Sequence, residues 1–437
     1  MQKIHFIGIC NEAMQHLAIA VSKKNNIVVT GSDAYIDEPY YSRLKANGIL
    51  PNKTGWFPDK IQRGITAIVV GPHISADNPE LKIAKELGLK IYSYPEFIYQ
   101  QTRSKTRIVI AGSQGKSTIA NMIIYVLKKL KIDVDYFTCG QKACEYQAKL
   151  SYEARIAVIE GHDFAITKSE IMPEFISYKP HIAIITGIHH NDSVHYASAK
   201  EYVQAYANFI DSMEVQGRLI YTSGDENLNE ILKKLRRDIV AFHYNTPKYE
   251  ERDGICYVKV RNADVPLTFF GEHQLRNLAA AQLACKQIGV YDQQFFEAFA
   301  GYQMPPKRME KLSDLPYIGF VDMANSPTKI KACLKALRKQ YPQKKILACY
   351  TLGNELFTDD ALPKYADTMN ASDLAFIYID SKNAIENESN LNTTIDIKKA
   401  FQKDVFVFED KELLKLEINK YITEDSVVIY MPEMVED

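Results

Sequence analysis

A seven-residue turn, Gly112-Ser113-Gln114-Gly115-Lys116-Ser117-Thr118, joins an apolar run from Arg107 to Ala111 to a long stretch of helical pattern over 117–130. Strand, glycine-rich turn and helix in that order form an anion site. Backbone N–H groups point into the turn, and the helix N-terminus adds positive potential. Gly112 and Gly115 let the main chain close on phosphate oxygens, with Ser113 inside the cradle. Lys116 reaches the outer phosphates, and Ser117 or Thr118 offers a hydroxyl to Mg²⁺, a hard ion that prefers oxygen. The turn therefore predicts binding of a triphosphate with Mg²⁺. The longest form of this motif has glycine six residues before the lysine. Ile110 stands there, so the match is to a shorter variant. The competing reading is a tight strand-to-helix turn that binds nothing, but it leaves the lysine without a purpose.

The elements that position this turn follow from hydrophobic period. Residues 3–9, 27–29, 67–70 and 90–93 read as strands, alternating with helical stretches at 14–24, 40–47 and 79–87. That is βαβ rhythm, hence a parallel sheet. A boundary is expected near 104–105. Strands at 107–111, 156–159, 182–186 and 219–222, with helices at 117–130 and 199–210, repeat the pattern around the phosphate turn. An alanine-rich helix over 271–289 ends at Gly289, where a left-handed cap fits. Pro305-Pro306 breaks the chain before a third α/β unit with strands at 319–321, 345–350, 375–379 and 427–431. The expectation is α/β throughout, in three domains over 1–104, 105–304 and 305–437.

Composition narrows the function classes. A chain of 437 residues, 46% hydrophobic and 24% charged, is long enough for about three cores at roughly 150 residues each. A formal net charge of -1 supplies no long-range field to gather a phosphate backbone, so nucleic acid is not an expected partner. No segment approaches the ~20 apolar residues that span a bilayer, and the short apolar run at the N-terminus lacks a signal-peptide core. Seven cysteines without a C-x-x-C pair read as buried thiols of a reducing cytoplasm. Asp33, after the second strand, suits a ribose hydroxyl or, equally, a loop cap.

The order of motifs resembles the Mur ligases over essentially the whole chain. His5-Phe6-Ile7-Gly8-Ile9-Cys10 with Thr30-Gly31-Ser32-Asp33 is similar to the family's UDP-binding entrance. Residues 111–118 resemble its ATP loop. Gly271-Glu272-His273-Gln274-Leu275-Arg276-Asn277, Lys307-Arg308-Met309-Glu310 and Val321-Asp322-Met323-Ala324-Asn325-Ser326-Pro327-Thr328 resemble three later family segments. Within the family, Gly55-Trp56-Phe57-Pro58, residues 76–81 and residues 91–97 look most like the murein peptide ligase branch. The resemblance implies a three-domain ligase that activates the carboxylate of UDP-N-acetylmuramate as an acyl phosphate. L-alanine or an L-Ala-D-Glu-diaminopimelate peptide would then be joined to it. It implies Gly8, Ile9, Ser32 and Asp33 at the UDP-sugar, Asn277 at adenine, Arg308 at the outer phosphate and Asp322 at ribose. Because Lys116 and Asp322 lie in different domains, it also implies closure around ATP.

Several positions depart from the family pattern. The first turn reads Gly8-Ile9-Cys10-Asn11-Glu12-Ala13, which lacks two glycines and sets a glutamate where a pyrophosphate would approach. Glu160 matches the family's metal-binding glutamate. Asn191 and Asp192, however, stand where Asp and His are expected, so the implied Mg²⁺ set is Ser117, Glu160 and Asp192, with Lys116, Glu160 and Asp192 as the catalytic group. Gln274, Asn325 and Leu352-Gly353-Asn354-Glu355 replace further family residues, and His162, His189, His190 and His195 offer a transition-metal cluster as another reading. Two functions stay open: a ligase of altered specificity, and a paralogue that binds nucleotide or UDP-sugar without ligating. A monomer or a dimer fits either.

Overall fold

The computed structural model describes the chain except residues 140–145, 164, 168–169, 190–195, 197, 253–254, 262, 313–315, 353–361, 380–393 and 433–437. The described residues fall into two compact units, Met1–Asn245 with Asn277–Ala300, and Thr246–Arg276 with Gly301–Asp437.

The first unit contains two parallel sheets. One is formed by β1 (Gln2–Ile7), β2 (Ile27–Ser32), β3 (Ala67–Val70) and β4 (Ile91–Ser93) in the order β2-β1-β3-β4. The other uses β5 (Thr106–Ala111), β6 (Val134–Cys139), β7 (Tyr146–Lys149) and β8 (Ile156–Glu160). A hairpin of β9 (Ala165–Thr167) and β10 (Glu170–Pro173) interrupts it, and β11 (Ile182–Ile185), β12 (Arg218–Thr222) and β13 (Val240–Tyr244) complete it. Its order is β13-β12-β11-β5-β8-β6-β7, parallel except for β7. Strand β5 is buried from Arg107 to Ala111, as a central strand covered on both faces must be, which is why its sequence does not alternate. In the first sheet the chain winds outward in opposite directions from β1 and β3, and in the second the connections leaving β5 and β11 run to opposite sides. Between β1 and β3, and between β5 and β11, this leaves a crevice at the carboxyl ends of the strands, the place where open α/β sheets bind ligands.

The expected boundary at 104–105 is held fast. Arg107, fully buried, donates from Nη1 to the carbonyls of Thr102 at 3.0 Å and Lys105 at 3.2 Å, and from Nε to that of Tyr178 at 2.9 Å. Its Nη2 meets Glu214 Oε1 at 2.5 Å. Lys105 Nζ reaches the buried Asp135 carboxylate at 2.6 Å and the Ala154 carbonyl at 2.8 Å. A buried arginine stays charged when its donors are all met, and here five backbone carbonyls and a carboxylate meet them. The linker between the two sheets is thereby part of the core. One apolar cluster runs from Phe6, Leu17 and Val21 through Val109 and Ile159 to Phe209.

The second unit holds a six-stranded sheet, with β17 (Glu310–Leu312), β18 (Ile318–Val321), β19 (Lys345–Leu352), β20 (Leu374–Ile379), β21 (Phe406–Phe408) and β22 (Ser426–Met431). Its order is β17-β18-β22-β19-β20-β21, parallel except for β17. Added to it is an antiparallel meander of β14 (Tyr249–Arg252), β15 (Ile255–Val260) and β16 (Ala263–Leu267). The expected helix over 271–289 spans Glu272–Gln287, and Gly289 takes φ +89° as a left-handed cap requires. Sequence reading gave no strands between 240 and 267: β14 (YEER) is short and charged and β16 carries a proline, while β13 and the apolar β15 (ICYVKV) were passed over. None of the described helices is long and apolar enough to cross a membrane.

Candidate functional site

The phosphate turn sits in the crevice between β5 and β11. Gly112 takes φ +125°, and a Cβ on it would lie 2.2 Å from Thr186 Oγ1 and 2.7 Å from Thr186 N. Gly115, at φ +82°, is the N-cap of the Lys116–Lys129 helix, and no side chain caps that end. A Cβ on Gly115 would lie 2.3 Å from Asn277 Oδ1. Gly112 is therefore required by space, against backbone, as well as by dihedral, whereas at Gly115 the left-handed dihedral carries the requirement and the Asn277 amide would have to swing aside. The helix N-terminus they leave open is a cradle shaped for an anion.

The polar groups around the cradle converge. Lys116 Nζ donates to the Gly112 carbonyl at 2.7 Å, folded back over the turn. Ser117 Oγ donates to Glu160 Oε1 at 2.7 Å. Glu160 is buried at the end of β8, paired in register with Ile110 of β5, which places the carboxylate beside the turn. Ser113 Oγ accepts from His189 N at 2.8 Å and lies 3.4 Å from the hydroxyl of buried Tyr202. Thr118 is buried under the first helical turn. The structure thus brings together Gly112, Ser113, Gly115, Lys116, Ser117, Thr118, Glu160 and Asn277. Asp192 lies outside the described residues, as do Asn191, His190, His195 and the 353–355 segment.

Of the four histidines considered together, His190 and His195 lie outside the described residues, and His162 is held by a local partner. The His162 backbone N–H donates to Glu174 Oε1 at 3.2 Å, and the ring Nδ1 stands 3.6 Å from the same oxygen. Burial, then the charge of Lys116, pushes the ring pKa down to about 3. Burial likewise pushes Glu174 up to about 7, against the bonds it accepts from His162 N and Tyr178 OH. Near neutral pH the ring is uncharged. Among the described residues no group of three or more His, Cys, Asp or Glu is placed to hold a metal. The donor chemistry of the Ser117 hydroxyl and the Glu160 carboxylate, both hard oxygens, does suit Mg²⁺.

The β1–β3 crevice is built differently. Gly8 and Ile9 both donate to the Ser32 carbonyl, at 2.9 and 3.1 Å. The Ser32 hydroxyl donates to Glu80 Oε2. Glu80, fully buried, also accepts from Phe57 N at 2.6 Å and meets His5 Nε2 at 3.2 Å. Burial raises the Glu80 pKa, but the hydrogen bonds from His5, Ser32 and Phe57 outweigh it and hold the carboxyl below its ordinary value. Asp33 Oδ2 accepts from Cys10 N at 2.7 Å, so this carboxylate shapes the turn. A cavity of about 230 Å³ lies above, lined by Gly8, Cys10, Asp33, Tyr40, Gly71 and His73 among others. Cys10 is half-buried at this cavity, whereas the sequence reading expected a buried thiol. Glu12 opens the following helix and binds Arg43 Nη1 at 3.0 Å and His16 Nε2 at 3.2 Å, so its charge is partnered.

In the second unit Asp322 ends the run that begins with β18. It is buried and accepts from Met309 N at 2.7 Å. Burial raises its pKa, and Arg308 acts in the opposite direction. Lys307 and Met309 take φ +58° and +49°, a backbone side-chain-bearing residues rarely adopt and one that clusters at ligand sites. His273 sits near Arg276 and Arg308. Burial first, then those two cations, lowers its pKa to about 4. Sequence reading missed Thr186, Glu80, Arg43 and Tyr202. Only Glu80 lay in a quoted motif, as an acid in the first turn after Asn78-Pro79.

Parallel sheets with an uncapped helix behind a glycine turn, a lysine over it and a serine–carboxylate pair beside it define an α/β nucleotide-site protein. More narrowly, the chain belongs to the Mur ligase family. Residues 3–106 match the model "Mur ligase family, catalytic domain", and residues 110–285 match "Mur ligase middle domain". A UDP-N-acetylmuramate–L-alanine ligase of Persephonella marina is 25% identical, covering 99% of this chain and 94% of its own length. The fold is similar to that of a murein peptide ligase from Psychrobacter arcticus (TM-score 0.63, 19% identity, 99% and 96% coverage). It is also similar to MurF ligase of Thermotoga maritima, solved with ADP (TM-score 0.60, 15% identity, 84% and 85% coverage).

Proposed function

We propose that this protein is an ATP-dependent ligase that joins an amino acid or short peptide to the carboxylate of UDP-N-acetylmuramate in the cytoplasm. The division of labour is over 1–104 for the UDP-sugar, 105–304 for ATP and 305–437 for further nucleotide contacts. The observation that carries this reading is the phosphate cradle, whose two glycines would each bring a Cβ within 2.3 Å of a neighbour. It stands in a chain similar along 99% of its length to a named ligase of that substrate.

In this reading the amides at the start of the Lys116–Lys129 helix and the Lys116 ammonium bind the triphosphate. Lys116 must leave the Gly112 carbonyl to do so. As the sugar carboxylate attacks the γ-phosphoryl and its bond to ADP breaks, charge grows on the transferred group and a fixed ammonium stabilises it more than the ground state; the amine then attacks the acyl phosphate, losing a proton, and phosphate leaves. Ser117, Glu160 and Asp192 would hold Mg²⁺, which when bound supplies positive charge to phosphate oxygens. Gly8 and Asp33, which line the cavity, with buried Ile9 and Ser32 next to them, are assigned to the sugar-nucleotide end, and Asn277, Arg308 and Asp322 are assigned to the nucleotide. Phosphate release in the presence of ATP, Mg²⁺, UDP-N-acetylmuramate and either L-alanine or L-Ala-D-Glu-diaminopimelate tests the proposal. Release that requires both substrates is expected. Nucleotide binding with no release for any amine would leave the non-ligating paralogue.

A further inference from the structure

We propose that Thr186 is a nucleotide-contacting residue, its hydroxyl donating to a non-bridging oxygen of the triphosphate; the inference rests on the nucleotide reading of the cradle above. Thr186 is the first residue past β11. Its N–H donates to the Ala111 carbonyl at 3.0 Å, which carries the β5–β11 ladder one step further, to the carboxyl edge where the crevice opens. That ladder bond fixes the backbone. The side chain is aimed at the phosphate turn, since Oγ1 lies 2.2 Å from where a Gly112 Cβ would be.

Oγ1 is also buried, with no hydrogen-bond partner among the described residues. A hydroxyl withdrawn from water and left unpaired destabilises the fold, and valine would fill the same volume without that cost. Other buried hydroxyls lack partners too, those of Thr138 and Thr222 among them. The one on Thr186 differs in being set against the first glycine of an anion cradle, where Lys116 Nζ already holds the Gly112 carbonyl. When Lys116 moves to phosphate, the charge arriving at this glycine is negative, and an unpaired O–H donor beside it completes the set. Strain or desolvation kept at a ligand site is repaid when the ligand supplies the missing partner.

Stability and binding in the full-length chain separate a ligand contact from a packing role. Thr186→Val, Thr186→Ser and wild type are melted without ligand and with Mg²⁺ plus a non-hydrolysable ATP analogue, and the analogue is titrated into each by calorimetry. The proposal expects ligand-free Thr186→Val to melt at or above the wild-type temperature, with analogue affinity about tenfold weaker and the ligand-induced rise in melting temperature cut accordingly. Thr186→Ser, which keeps the hydroxyl, should bind like wild type. Equal affinity of Thr186→Val and wild type, or a ligand-free melting temperature well below wild type, overturns it. Absence of any analogue binding by wild type instead overturns the nucleotide reading on which it rests.

Discussion

The two crevices of the first unit share one architecture and treat their helix N-termini in opposite ways. At the β5–β11 crevice the helix begins at Gly115 in a left-handed conformation with no side-chain cap, and Lys116 lies over the opening. At the β1–β3 crevice the helix end is already filled. Asn11 Oδ1 accepts from Ala13 N at 3.0 Å and Met14 N at 3.3 Å, and Glu12 places a carboxylate at the first turn. A helix N-terminus attracts phosphate only when its N–H groups are free and its field unopposed. Topology therefore provides two candidate sites, and only one of them leaves its helix end uncapped, the one proposed to take the triphosphate. At the other, phosphate charge must be met by groups apart from the helix end, and Arg43 beside Glu12 is the cation at hand.

Breaking the open crevice has the largest expected effect. Lys116→Ala should lower the rate of acceptor-dependent phosphate release by at least about a hundredfold, as loss of one transition-state charge donor does. The melting temperature should stay within a degree or two, because the lysine holds only a loop carbonyl. Gly115→Ala tests the cradle's shape: a left-handed alanine costs about 1–2 kcal/mol, and its Cβ must displace Asn277. Nucleotide affinity should fall at least about tenfold in calorimetry while UDP-sugar binding is retained.

The closed crevice responds in a different currency. Glu80 keeps a depressed pKa through His5, Ser32 and Phe57, so its ionised form stabilises the fold above the unfolded-state value near ~4.3, and that stability is lost as pH falls below it. Wild type should therefore exceed Glu80→Gln by about 1–3 kcal/mol in denaturant titrations at pH 6, with the gap shrinking at lower pH. A gap that does not change with pH would mean that the carboxylate is not ionised there. The smallest effect sharpens the capping argument itself. Glu12→Gln removes a negative charge from the helix end while Gln15 and His16 still hold Arg43, and the Glu12–Arg43 pair is only partly buried. The KM for UDP-N-acetylmuramate should drop about two- to fivefold, the range for a partly screened charge, with the KM for ATP unchanged.

The contrast also explains what could be read from residue order. The phosphate turn was legible because its chemistry is local: glycines, lysine and hydroxyls lie within seven consecutive positions, and strand and helix around it carry clear periods. Glu160 was legible through the resemblance and through its place at a strand end. The β1–β3 crevice was less so, because its determinants are separated in sequence. Asp33 works on Cys10, Arg43 on Glu12 and Glu80 on Ser32, so a glutamate that looked repulsive at the turn is in fact paired. Thr186 gave no signal, since an unpaired hydroxyl is a property of packing. In the 249–267 meander the outer strands, charged YEER and proline-bearing ADVPL, lacked the apolar alternation that marks a strand, and Asp192 lies outside the described residues.

The central claim is that a triphosphate seats on the turn from Gly112 to Thr118. Calorimetric titration of the full-length protein with Mg²⁺ and a non-hydrolysable ATP analogue tests it most directly. A single-site isotherm for wild type, lost in Lys116→Ala at unchanged melting temperature, is the predicted result. No heat for wild type, or the same isotherm for both proteins, would contradict it.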